Sequence, residues 1–127
     1  MRFIIPILIL IHISSCSFHD NTFEIDYKRK AIRSKEGTIK NVIITGKDGA
    51  LHFVKKNGGS DVFYLLNKNS DCEIFIDGMP ATINSREYIF QPKINEEYQI
   101  LNYSNGDAIS YSVTIKFDSN YNIILVQ

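Results

Sequence analysis

The chain has 127 residues, with 14 Lys and Arg against 14 Asp and Glu, 44% hydrophobic and 22% charged residues, and two Cys. That length holds one domain, the composition is that of a folded chain and not a disordered one, and two Cys cannot supply a disulfide scaffold. A formal net charge of zero argues against a generic nucleic-acid binder, whose phosphate contacts need a surplus of basic surface.

Residues 1–16 read MRFIIPILILIHISSC, and Arg2 is their only charge. From Phe3 to Ile13 the side chains are apolar apart from the breaks at Pro6 and His12. This run is too short for a membrane span, which needs about 20 residues. It fits the hydrophobic region of a secretory signal, with Ser14 and Ser15 as the small residues ahead of a cleavage site. Ile13-Ser14-Ser15-Cys16 resembles the bacterial lipobox, an aliphatic residue and two small residues followed by Cys. The resemblance implies cleavage before Cys16, a lipid on its thiol, and acylation, typically with palmitate, of the new amino terminus. Several acyl chains, each contributing about 0.8 kcal/mol per buried methylene, anchor a protein firmly. Ser17, where inner-membrane lipoproteins tend to carry Asp, implies the outer membrane of a Gram-negative bacterium, with the domain facing the periplasm. The alternative is an ordinary signal peptide with a chance Cys nearby. The expected layout is a signal peptide over 1–15, a lipidated Cys and tether over 16–21, and a single domain over 22–127.

Residues 16–127 are enough to bury about two-thirds of the unfolded chain's surface in one core. Apolar residues recur mostly with period two, the mark of half-buried strands. In chain order the predicted strands are Phe23–Tyr27, Ile39–Thr45, Leu51–Val54, Val62–Leu66, Cys72–Ile76, Tyr88–Phe90, Tyr98–Leu101, Ile109–Phe117 and Ile123–Val126. Gly46-Lys47-Asp48-Gly49, Asn57-Gly58-Gly59-Ser60-Asp61, Asp77-Gly78, Asn105-Gly106-Asp107 and Asp118–Asn122 supply turns between them. Lys28–Glu36 has one apolar pair, Ala31 and Ile32, and reads as a solvated connection or an exposed strand extension. The expected fold is all-β: a small antiparallel β-sandwich, immunoglobulin-like or transthyretin-like, of about seven to nine short strands. The last two strands should form a C-terminal hairpin.

Side chains suited to catalysis are few. His19 falls in the tether, and His52 stands alone on a strand with no second ligand at metal-binding spacing. Cys72 reads as a small buried hydrophobe, and the acids on either side of it, Asp71 and Glu73, disfavour the reactive thiolate. Asn57-Gly58-Gly59-Ser60 lacks the Lys of a phosphate loop and opens a strand, so it reads as a turn. Glu96 and Glu97 are adjacent and would point to opposite faces of a strand. Glu73 and Asp77 would share a face only if the strand ran straight through Asp77. No enzyme activity, metal or cofactor is expected.

The zero net charge hides a segregated sequence. Residues 28–56 hold nine Lys and Arg against two acids, and residues 61–118 hold nine acids against four Lys and Arg. Lys28, Arg29, Lys30, Arg33 and Lys35 lie near the anchor, where anionic head groups attract basic residues by about 1 kcal/mol each. Asp71, Glu73, Asp77, Glu87, Glu96 and Glu97 would then be available to steer a basic protein partner. Tyr64, Tyr88, Tyr103 and Tyr121, at or near strand ends, are further partner-binding candidates. The size, the lipobox and the strand-rich body, with Glu97-Tyr98-Gln99-Ile100 and Tyr111-Ser112-Val113-Thr114-Ile115 as its closing strands, resemble the small immunity lipoproteins of type VI secretion systems. That resemblance implies a protein that blocks a delivered toxin by binding it. A structural envelope lipoprotein that anchors a secretion complex, or a small ligand- or glycan-binding module, are the alternatives.

Overall fold

The computed structural model describes residues 21–35, 38–69, 71–81, 89–103 and 110–126. Cys16, His19, Glu87 and Tyr88 lie outside them. The described residues form ten strands: β1 (Phe23–Asp26), β2 (Ala31–Ser34), β3 (Asn41–Gly46), β4 (Gly49–Lys55), β5 (Val62–Tyr64), β6 (Cys72–Ile76), β7 (Met79–Pro80), β8 (Glu97–Tyr103), β9 (Tyr111–Phe117) and β10 (Ile123–Val126). Every pairing is antiparallel. A three-stranded sheet has the order β1-β2-β5, and a seven-stranded sheet the order β10-β9-β8-β3-β4-β6-β7. The two pack together as the expected β-sandwich, with ten strands in place of seven to nine.

The register explains the core. Val42 and Ile44 of β3 stand opposite Phe53 and Leu51 of β4 on one side, and opposite Asn102 and Ile100 of β8 on the other. Tyr98 faces Ile115, and Phe117 faces Ile123. Because strand side chains alternate, this one parity fills the inner face of the wide sheet. The small sheet contributes Phe23, Ile32 and Phe63. Edge-on ring contacts join the layers: Phe53 with Phe63 at 5.1 Å and Phe23 with Tyr111 at 4.9 Å. Each such ring stabilises the fold by about 1.5–3 kcal/mol through burial, and by a further ~0.5–1.5 kcal/mol through the ring pair.

Two sequence expectations are corrected. Within the stretch Lys28–Glu36, Lys28 and Arg29 do lie in an exposed turn, but Ala31–Ser34 is no solvated connection or exposed extension: it forms β2, the middle strand of the small sheet. Ala31 and Ile32 are fully buried. They are adjacent, so each face of the strand carries a single apolar residue and no alternation is visible. Pairing along both edges buries them: Ile32 lies between Ile25 and Phe63. The expected strand Tyr88–Phe90 is also absent over its described residues. Ile89 and Phe90 pair with no strand, and Phe90 instead inserts its ring into the core beside Tyr98 and Phe117, at 5.1 and 6.4 Å.

The C-terminal hairpin is built around Asp118. Its Oδ1 accepts the backbone N–H groups of Asn120 (2.8 Å) and Asn122 (2.9 Å), an Asx-type turn. Those backbone donors, Asn122's first, hold the Asp118 carboxyl below the ordinary range. The domain also reaches further toward the amino terminus than expected: Asn21, placed in the tether by its sequence position, is buried, and its carbonyl accepts Asn102 Nδ2 at 2.9 Å.

Candidate functional site

Three strands cover only part of a seven-stranded face. At the end of the sandwich formed by the β3–β4 turn, the β6–β7 turn and the start of β8, segment 89–96 does the covering instead, and a cavity of about 450 Å³ remains. That size lies within the range of small-molecule pockets. Its floor is apolar: Ile44, Leu51 and Ile76 from the inner face, with the Phe90 and Tyr98 rings. Gly46 lets the β3–β4 turn close onto Tyr98, since a Cβ there would sit 2.6 Å from ring atom Cε1.

The rim is charged. Lys93 Nζ pairs directly with Asp48 and stands 3.9 Å from Glu96. The hydrogen bond from Lys93 holds the Asp48 carboxyl below its ordinary range, and the same contact holds Lys93 above its own. Tyr98 Oη accepts the backbone N–H of Lys93 at 2.8 Å, which fixes segment 89–96 over the floor. Asp77 follows β6 with φ of 48°, a left-handed turn conformation. Its Oδ1 accepts the Ala50 N–H at 2.8 Å, which brings the carboxylate to the cavity mouth. Among the described residues, three carboxylates therefore surround the opening, against the Lys93 ammonium and the charge of Lys47, which also acts on Asp48.

The acids singled out from the sequence are dispersed. Asp77 and Glu96 meet at this rim. Asp71 is at the other end of β6, paired with Lys55 at 3.0 Å. Burial raises the Asp71 pKa, but the Lys55 hydrogen bond and charge outweigh it, so the carboxyl lies below its ordinary range. Glu73 and Glu97 are on the outer face of the wide sheet, opposite Val54 and Lys116. The turn after β6 takes Asp77 out of line with Glu73, so those two do not form a pair.

Among the tyrosines, Tyr64 and Tyr121 are exposed. Tyr103 is half-buried on the outer face, with its hydroxyl 3.1 Å from His52 Nε2. Burial lowers the His52 pKa. The basic residues also separate. Lys28, Arg29 and Lys30 occupy the β1–β2 turn, Arg33 pairs with Asp26 at 3.1 Å, and Lys35 returns beside Thr22, whose carbonyl accepts its N–H. Arg29 also reaches Asp26, with its Nε at 3.9 Å.

Sequence reasoning did not find Asp48, Lys93 or Phe90 as parts of the site. Asp48 and Lys93 are 45 residues apart, and no local pattern joins them. Cys72 is buried as expected, and burial, reinforced by the neighbouring Asp71, pushes its thiol pKa up to about 12 despite the opposing pull of Lys55. Among the described residues, no group of three or more His, Cys, Asp or Glu is placed to hold a metal ion. No protein-family model, curated protein or solved structure matches the chain.

Proposed function

We propose that the chain is a lipid-anchored outer-membrane protein of a Gram-negative bacterium that faces the periplasm and acts by binding a protein partner, as an immunity protein that neutralises a type VI secretion toxin. Ile13-Ser14-Ser15-Cys16 supports the anchor. The acid-rimmed cavity is the observation that carries the binding reading. It lies at the opposite end of β3 and β8 from Asn21, where the described chain begins. The tether would join the domain at Asn21, the end remote from that mouth. Carboxylates around an apolar hollow suit steering and then seating a basic surface.

Two experiments test this reading. Labelled palmitate should enter the wild-type protein and not Cys16→Ala, and labelling that persists in the variant would refute the anchor. Affinity capture from envelope extracts of toxin-delivering cells should recover a toxin, and expression of the chain should protect sensitive cells. Capture of no toxin together with no protection refutes the immunity reading. The cavity volume also favours one alternative, a small ligand-binding module, and a small molecule that co-purifies with the protein would point to it.

A further inference from the structure

We infer that the cavity receives a single Lys or Arg side chain of the protein partner, with its aliphatic stem on the apolar floor and its cationic head among the rim carboxylates. This rests on the partner-binding reading above and names what the partner must present. The argument comes from the match between the two layers of the cavity and the two parts of such a side chain. Ile44 and the Tyr98 ring, both buried, and the half-buried Leu51 form the apolar lining where methylenes are favoured, and Ile76 extends it toward solvent. The mouth carries Asp48, Asp77 and Glu96.

Lys93 answers part of that charge already, paired with Asp48 and 3.9 Å from Glu96. Among the described residues, Asp77 has no ion-pair partner, and its Oδ1 bond to the Ala50 N–H leaves acceptor capacity on the carboxylate. An incoming cation thus meets a net negative rim even with Lys93 and Lys47 nearby, and that rim disfavours an acidic side chain. Long basic side chains behave in this divided way wherever an apolar surface borders polar ground. The volume of about 450 Å³ takes such a side chain whole, head group included.

The test uses the full chain in detergent micelles, with methyl-labelled Ile and Leu read by NMR. It is titrated with capped pentapeptides whose central residue is Arg, Lys, norleucine or Glu, and with free spermine. Saturable shifts at Ile44, Leu51 and Ile76 with the Arg or Lys peptide, at least fivefold tighter than with norleucine and absent with Glu, support the inference. Asp77→Asn keeps an oxygen for the Ala50 N–H and should weaken the Arg peptide about fivefold, the scale of one partly exposed charge pair. Lys93→Met removes the competing internal cation and should tighten binding, a gain that misfolding cannot imitate. Equal binding of norleucine and Lys peptides, or no tightening in Lys93→Met, overturns the basic-side-chain assignment. Spermine binding more tightly than the Arg peptide overturns the protein source of the cation. Toxin capture that is equal for wild type and Asp77→Asn overturns the inference while leaving the immunity reading standing; capture of no toxin, with normal Arg-peptide shifts, sinks the immunity reading and leaves the cation site standing.

Discussion

Gly46→Ala is the sharpest test of how the cavity is built. Its backbone lies outside the left-handed region, so alanine fits the local conformation. On entropy alone, such a substitution should stabilise the fold by about 0.4–1 kcal/mol. The added Cβ, however, would lie 2.6 and 2.8 Å from two Tyr98 ring carbons. That ring is held by its hydroxyl on Lys93 N–H at 2.8 Å and by the edge of Phe90 at 5.1 Å. It cannot swing away cheaply, and overpacking at such sites costs about 1–3 kcal/mol. The steric effect outweighs the entropic one, and a net loss of about 1–2 kcal/mol follows. For a domain of this size the melting temperature should drop by about 5–10 °C, read by circular dichroism. In a Tyr98→Leu background the same substitution should cost less than about 0.5 kcal/mol, since the ring is gone. A Gly46→Ala protein as stable as wild type, or a full cost that survives the loss of the ring, would refute the reasoning.

Removing Asp71 should hurt more than removing Lys55. The Lys55 side chain is only 6% exposed, while Asp71 is 44% exposed, so Asp71→Asn strands a buried ammonium and is expected to lose on the order of 1–2 kcal/mol in urea unfolding, against a near-neutral Lys55→Met. Cys72 should react with a thiol reagent at pH 8 more than about a hundredfold slower in the native protein than in urea; comparable rates would contradict its burial. Burial keeps the folded pKa of His52 below the ordinary 6.5, so the unfolded chain takes up that proton first. Stability should therefore hold above about pH 6.5 and decline as the pH falls below it, and His52→Gln should flatten the profile between pH 7 and 5.5. Gly59 has φ of 99°, and a Cβ there would meet the Ile39 carbonyl at 2.6 Å, so Gly59→Ala should cost about 2 kcal/mol or more and an unchanged melting temperature would overturn that account.

The sequence shows most clearly the strands that bury only one face over a long span. Along Tyr111–Phe117 the inward residues Val113, Ile115 and Phe117 alternate with Ser112, Thr114 and Lys116, and that pattern predicts β9 outright. β2 is hidden because its burial comes from neighbours on both edges, which no property of Ala31–Ser34 announces. Phe90 reads as part of a strand, yet its role is to plug the end of the core with a ring. Within the site, Asp77 and Glu96 stand out in sequence as acids, but Gly46–Gly49 looks the same whether a turn ends in open solvent or at a cavity mouth. The separation of charge along the chain is not kept in space either. Lys55 pairs with Asp71 and Asp48 with Lys93, so residues of the basic and acidic segments meet in the folded domain.

The β3–β8 pairing at the centre of the wide sheet joins Asn41–Thr45 to Gln99–Tyr103. A chain made from its amino terminus completes the β3–β4 hairpin long before β8 exists, and β3 then waits with a bare apolar edge. The last three strands, β8, β9 and β10, are sequential neighbours and can assemble on their own as a meander that docks in one step. Closing the β3–β8 pairing, distant in sequence, should therefore be slower than forming either set of local hairpins. A chain halted before Glu97 would keep the unpaired edge permanently, the geometry that recruits foreign strands. It should accumulate as aggregate and not as a smaller folded domain.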